Sequence, residues 1–208
     1  MSEARLNLDW VRAYDNVALN NPRDAYNEWA QSNCGEVEAC VLTVPETWFM
    51  KDYSGKLLDV GCGNGRFAAR LFQYGEVDFV IALDVSDVCV SHAQKAFEKY
   101  KVNGEVVRGS IEEYLSTEVF DTITCWEVLE HLRRPDLALN TIRRMLDENG
   151  VVIGSVPEGL AENNWLHLHH FYNTDLLELL SGQFNDIRII QYEKRLLFVA
   201  RQPKVRHA

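Results

Sequence analysis

The segment Leu57-Leu58-Asp59-Val60-Gly61-Cys62-Gly63-Asn64-Gly65-Arg66-Phe67 constrains this chain more than any other. An apolar run carrying one acidic residue breaks into glycines at alternate positions. Phe67, Ala68, Leu71 and Phe72 follow at helical spacing. A strand, a tight turn and a helix opening are expected. Glycines at such a turn permit positive φ and let the backbone approach a ligand with no Cβ between them. The helix start offers amides to an anionic group such as a carboxylate or phosphate. The spacing is G-x-G-x-G and not the dinucleotide-type G-x-G-x-x-G.

A second apolar run, Phe79-Val80-Ile81-Ala82-Leu83, ends in Asp84. A carboxylate at the end of a second strand can accept from both hydroxyls of a ribose. A generic nucleotide-binding unit would meet these conditions, and three later segments narrow the choice. They are Phe120-Asp121-Thr122-Ile123-Thr124-Cys125-Trp126-Glu127-Val128-Leu129-Glu130-His131-Leu132, Ile142 to Gly154, and His170-Phe171-Tyr172-Asn173-Thr174-Asp175-Leu176-Leu177. In this order they resemble the class I S-adenosylmethionine-dependent methyltransferases, and in particular the small-molecule, ubiquinone-type O-methyltransferases. The resemblance runs over roughly residues 55–200. The chain departs from the family pattern at Glu148-Asn149-Gly150, where Pro-Gly-Gly is usual, and at Ser110, where an Asp is common.

From residue 55 onward, short apolar runs alternate with helical patterns. Strands are expected at 57–60, 78–83, 105–108, 119–125, 150–156, 186–191 and 195–200, and helices at 65–74, 87–101, 135–147 and 173–182. Such alternation predicts an α/β fold of parallel βαβ units. The last two strands are separated by only about Tyr192-Glu193-Lys194. That gap permits a hairpin and not a crossover, so the final strand should run antiparallel. The resemblance implies a Rossmann-like, doubly wound, seven-stranded sheet. Residues 55–208 would form the methyltransferase domain. Residues 1–54 read as a helical N-terminal cap of the same domain, with Asn21 capping and Pro22 at the first helical position. Trp10, Val11, Tyr14, Val17, Tyr26, Trp29, Trp48 and Phe49 make it the most aromatic region. It would wall an acceptor pocket at the strands' C-terminal edges, or simply brace the segment on the sheet.

The 208 residues are 47% hydrophobic, enough for one α/β domain. Net charge is −10, from 31 acidic against 21 basic residues, which argues against nucleic acid as a partner. The five cysteines show no C-x-x-C spacing, as in a reduced, cytoplasmic protein. No apolar stretch approaches a membrane span, and the N-terminus lacks the pattern of a secretion signal. The sequence shows no leftover apolar face that would mark an oligomer interface.

The resemblance assigns roles residue by residue. The methionine end of S-adenosylmethionine would meet Gly61, Cys62 and Gly63, with Asp59 and Gly65 framing the turn, and the backbone at Cys125 and Trp126. Its ribose would meet Asp84, and its adenine Val85, Ser110 and Ile111. Ser110 offers a hydroxyl or amide where the family has a carboxylate. On a helix, positions i, i+3 and i+4 share a face, so Glu127, Glu130 and His131 can converge. Two carboxylates and an imidazole suit a divalent cation such as Mg, with His170 as a further ligand from the segment Trp165-Leu166-His167-Leu168-His169-His170. That set resembles the metal site of small-RNA 2′-O-methyltransferases. Alternatively His131, His167, His169 or His170 acts as a general base on a hydroxyl acceptor, or proximity alone drives transfer. The expected function is methylation of a small molecule, on oxygen first. A metal-assisted RNA 2′-O-methyltransferase and a non-catalytic, S-adenosylmethionine-binding regulatory protein remain the alternatives.

Overall fold

The computed structural model describes Asn27, Phe49, residues 51–160 and residues 166–204. The expected cap over residues 1–54, with its helix start at Asn21-Pro22, lies outside the described residues apart from Asn27, Phe49 and 51–54. From residue 51 the elements run β1 (Ser54–Val60), α1 (Arg66–Tyr74), β2 (Glu76–Asp84), α2 (Asp87–Tyr100), β3 (Gly104–Arg108) and β4 (Phe120–Trp126). A 3-10 turn (Leu129–His131), α3 (Pro135–Met145), β5 (Leu146–Pro157), α4 (Asn173–Ser181), β6 (Phe184–Tyr192) and β7 (Arg195–Pro203) complete the series. The strands form a seven-stranded sheet in the order β3-β2-β1-β4-β5-β7-β6.

The chain divides into two compact units, meeting in sequence at Ser110 and Ile111. In the first, β1 and β2 pair in parallel with Leu57 opposite Val80, and β2 and β3 with Ile81 opposite Glu105. Leu57, Leu58, Val60, Val80 and Leu83 are buried, as in a parallel sheet covered on both faces. Helix α2 opens on Ser86, whose hydroxyl accepts from Cys89 N at 3.2 Å, and closes on Lys101 at φ 53°.

In the second unit β4 and β5 are parallel, while β7 runs antiparallel to both β5 and β6. The expected hairpin forms with Glu193 at φ 52° between β6 and β7. Helix α3 starts at Pro135, where a missing amide costs nothing, and buries Ala138, Leu139, Ile142 and Met145 as one stripe. The helix expected to reach residue 147 stops at Met145, and β5 begins at once with Leu146. The side chain of Asp147 takes the Asn149 amide at 2.9 Å, and the β4–β5 register shifts between Phe120 and Thr122. A local Asp turn thus replaces both the helix end and the expected loop.

Candidate active site

The glycine turn is tied to the end of β2. Gly61 N and Cys62 N both donate to Leu83 O, at 2.8 and 3.0 Å, and Gly65 N donates to Cys62 O at 3.0 Å. Gly61, Gly63 and Gly65 adopt φ of 68°, 54° and 71°. A Cβ on Gly65 would stand 2.7 Å from the Ala93 Cβ, so this glycine lets α1 start against α2. A Cβ on Gly63 would meet no atom within 4 Å, so its left-handed φ, and not crowding, selects glycine there. The first turn of α1 holds no acidic residue, and Asn64 Oδ1 accepts the Arg66 amide at 3.2 Å.

Asp84 spans the turn. Its Oδ2 accepts from Gly63 N and its Oδ1 from Ser86 N, each at 2.9 Å. Burial pushes its pKa up, while those amides pull the other way. Each oxygen keeps further acceptor capacity. Gly109 N donates to Asp84 O at 2.9 Å, which sets Ser110 one residue beyond that link. Asp59 and Cys62 are buried, and Val85 and Ser110 are half-buried. The Ser86 hydroxyl donates to Asn27 Oδ1 at 2.8 Å. Asn27 gave no signal in the sequence, because this contact joins residues far apart along the chain.

The second unit carries the remaining candidates. Ile111 and Cys125 are buried and Trp126 is half-buried. Glu127 has φ 53°. Its amide donates to Ser155 O at 3.0 Å, its Oε1 accepts from the Ser155 hydroxyl, and its Oε2 lies 3.6 Å from Arg195 Nε. The next residues enter the 3-10 turn. Glu130 O accepts from Leu168 N and His169 N, at 2.8 and 3.0 Å, and so anchors the histidine segment.

His131 Nδ1 lies 2.9 Å from Leu166 O. A carbonyl only accepts, so Nδ1 carries the proton and Nε2 keeps its lone pair. That Nε2 lies 3.7 Å from Glu130 Oε1. Burial lowers the His131 pKa to about 4, with the neighbouring His167 acting in the same direction and the Leu166 bond opposing. The rings of His131 and His167 meet edge to face, 4.8 Å between centroids.

Ligand atoms of Glu130, His131 and His167 lie within 4.8 Å of one another. Two imidazoles and a carboxylate, one imidazole fixed by a carbonyl, fit a divalent ion. The other expected ligands are placed elsewhere. Glu127 turns to Ser155 and Arg195, and His170 Nδ1 bonds Gly159 O at 3.1 Å. His169 is buried, and its pKa is lowered by burial first, against backbone bonds at Leu132 and Arg133. Ser155 and Arg195 were not singled out by sequence, since only the β5–β7 ladder reveals their place.

Residues 26–191 match the family described as a methyltransferase domain. The chain is 34% identical over 105 residues to the mitochondrial ubiquinone biosynthesis O-methyltransferase of Schizosaccharomyces pombe, covering 49% of this chain and 38% of that protein. It is 29% identical over 116 residues to the ubiquinone biosynthesis O-methyltransferase of Glaesserella parasuis, covering 53% and 48%. The chain thus spans about half the length of the curated relatives it matches, or less. Among solved structures it is similar to the N-methyltransferase NodS of Bradyrhizobium japonicum in complex with S-adenosyl-L-homocysteine. That likeness has a TM-score of 0.69 at 16% identity, over 86% of this chain and 98% of the other, and shows the fold. With the glycine turn, Asp84 and the sheet order in place, the chain belongs to the methyltransferase-domain family, of the class I S-adenosylmethionine-dependent type.

Proposed function

We propose that this protein binds S-adenosylmethionine and methylates a hydroxyl on a small molecule. The observation that carries this reading is the link between Asp84 Oδ2 and Gly63 N, which joins the ribose-gripping acid to the glycine turn. When bound, S-adenosylmethionine supplies a sulfonium methyl group that is displaced in line, with the sulfur leaving as a thioether. Gly61, Cys62, Gly63 and the backbone at Cys125 and Trp126 hold the methionine end. Asp84 holds the ribose; Val85, Ser110 and Ile111 enclose the adenine. Asp59 and Gly65 shape the turn. His131 is neutral at physiological pH and presents Nε2, which takes the acceptor's hydroxyl proton as the O–C bond forms. His169 and His170 flank the acceptor.

Oxygen as the acceptor atom is supported by the ubiquinone biosynthesis relatives, at 34% and 29% identity over partial lengths. From the N-terminal segment, Asn27 meets Ser86, two residues past Asp84. Among the described residues no helix is long and apolar enough to cross a membrane, and Cys62, Cys89 and Cys125 are buried thiols outside any disulfide. These thiols suit a reducing compartment such as the cytoplasm.

A second reading rests on the grouping of Glu130, His131 and His167. There the trio would hold a divalent cation that orients the acceptor oxygen, and His131 Nε2 would be a ligand instead of a base. Two imidazoles favour a borderline ion such as Zn or Mn over Mg. A methyl-transfer screen over phenolic, hydroxylated, amine and RNA acceptors, with chelator or with added metal, tests both readings. Transfer to phenols or hydroxyls that survives chelator supports the first. Transfer only with metal supports the second. Transfer to amines alone removes oxygen as the acceptor, and transfer to RNA alone removes the small molecule.

A further inference from the structure

We infer that Glu127 is a positioning residue for the methionine end of the cofactor, acting through a clamp on Ser155 and Arg195. The inference rests on the proposed cofactor. In the parallel β4–β5 ladder, Cys125 lies opposite Gly154 and Trp126 opposite Ser155. Glu127 then adds two bonds to the same residue. Its amide donates to Ser155 O at 3.0 Å, and its carboxylate accepts from the buried Ser155 hydroxyl. Arg195, paired with Pro157 at the start of β7, faces the other carboxylate oxygen at 3.6 Å. Both ends of the Glu127 side chain's charge are thus met from β5 and β7.

The geometry is not free. Glu127 sits at φ 53°, where a residue with a Cβ is strained. Two positions earlier, β5 presses on the backbone of Cys125, since a Cβ on Gly154 would fall 2.0 Å from Cys125 O. Gly154 and Ser155 together seat the three residues Cys125, Trp126 and Glu127. A strained residue held by three contacts from two residues, directly after the backbone assigned to the methionine amine and carboxylate, marks a segment whose placement matters. The clamp fixes where the Cys125 and Trp126 peptide groups point, and Glu127 itself touches no reacting atom.

Two ligands separate this role from a general one. S-adenosylhomocysteine carries the amino-acid end, and 5′-methylthioadenosine lacks it while keeping the ribose and adenine. Glu127→Gly tolerates the φ and still folds, so the chain stays testable. By calorimetry this variant should bind S-adenosylhomocysteine about tenfold more weakly or worse, the loss of one charge-assisted contact. Its affinity for 5′-methylthioadenosine should stay within about twofold of the parent. Ser155→Ala should show the same split, and the double variant should lose no more than Glu127→Gly alone, because both cut one clamp. Unchanged S-adenosylhomocysteine binding in both single variants overturns the inference, as does an equal loss of both ligands. A parent protein that binds neither ligand overturns the cofactor reading, and this inference with it.

Discussion

The carboxylate of Asp84 reaches across the turn after β1 and accepts the Gly63 amide at 2.9 Å, while its other oxygen takes the Ser86 amide. This side chain therefore braces the glycine turn on β2 beside the bonds that Gly61 N and Cys62 N make to Leu83 O. Asp84→Ala removes that brace along with the proposed ribose contact. Affinity for S-adenosylhomocysteine should fall by about 10-fold to 100-fold, as charge-assisted bonds are lost. Calorimetry checks it, and an unchanged dissociation constant would show that Asp84 serves the fold alone.

Gly65 and Gly63 should respond differently to alanine. At Gly65 the added Cβ meets Ala93 Cβ at 2.7 Å and its Cα at 2.8 Å, on top of φ 71°. Gly65→Ala should cost about 2–4 kcal/mol by urea unfolding, from strain and overpacking together. Gly63→Ala meets no neighbour and should cost only about 1 kcal/mol. Equal losses at the two sites would contradict the packing of α1 on α2.

The metal-free protein should weaken in mild acid. His131 has an ordinary value of 6.5 and a folded value of about 4. Above 6.5 both states hold the imidazole neutral, and its full contribution is present. As pH falls from 6.5 toward 4, the unfolded chain takes up a proton that the fold excludes, and stability drops by on the order of 3 kcal/mol. His169, also lowered by burial, adds in the same direction. Urea melts in chelator between about pH 7 and about pH 5 should show the decline. His131→Gln should flatten it, and a variant with the parent's slope would contradict the buried neutral imidazole.

Direct titration settles the cation reading without any acceptor. On that reading, chelator-treated protein should bind Zn or Mn through Glu130, His131 and His167, with weaker response to Mg. His167→Ala should lower that affinity by at least about tenfold, as ligand losses do. His170→Ala should leave it unchanged, since His170 lies outside the group of Glu130, His131 and His167. Loss on His170→Ala with none on His167→Ala would restore the ligand set expected from sequence.

Most of the fold is legible along the chain because its signals are local. The apolar runs at Leu57–Val60 and Phe79–Leu83 are short enough to read as strands, and both form. The short gap after Tyr192 forced β7 to turn back, and it pairs antiparallel with β5 and β6. The helix expected through residue 147 ended at Met145, where Leu146 takes extended backbone and opens β5, and the Asp147 side chain accepts the Asn149 amide. That contact is a matter of side-chain geometry, which periodicity does not carry.

The candidate site divides along the same line. Gly61 to Gly65, Asp84 and the Cys125–His131 segment announce themselves, because backbone freedom and charge at fixed spacing are written in consecutive residues. The sequence by itself determined a strand–glycine turn–helix with an acid after the second strand. Only tertiary structure decided which histidine joins Glu130 and His131, and what holds Glu127. A helical face groups Glu127 with Glu130 and His131, yet a left-handed Glu127 followed by a 3-10 turn sends its carboxylate to Ser155 and Arg195. His167 meets His131 because Glu130 O anchors Leu168 and His169. Those partners come from β5, β7 and a loop remote in sequence, and the register of the sheet, not the spacing of residues, brings them together.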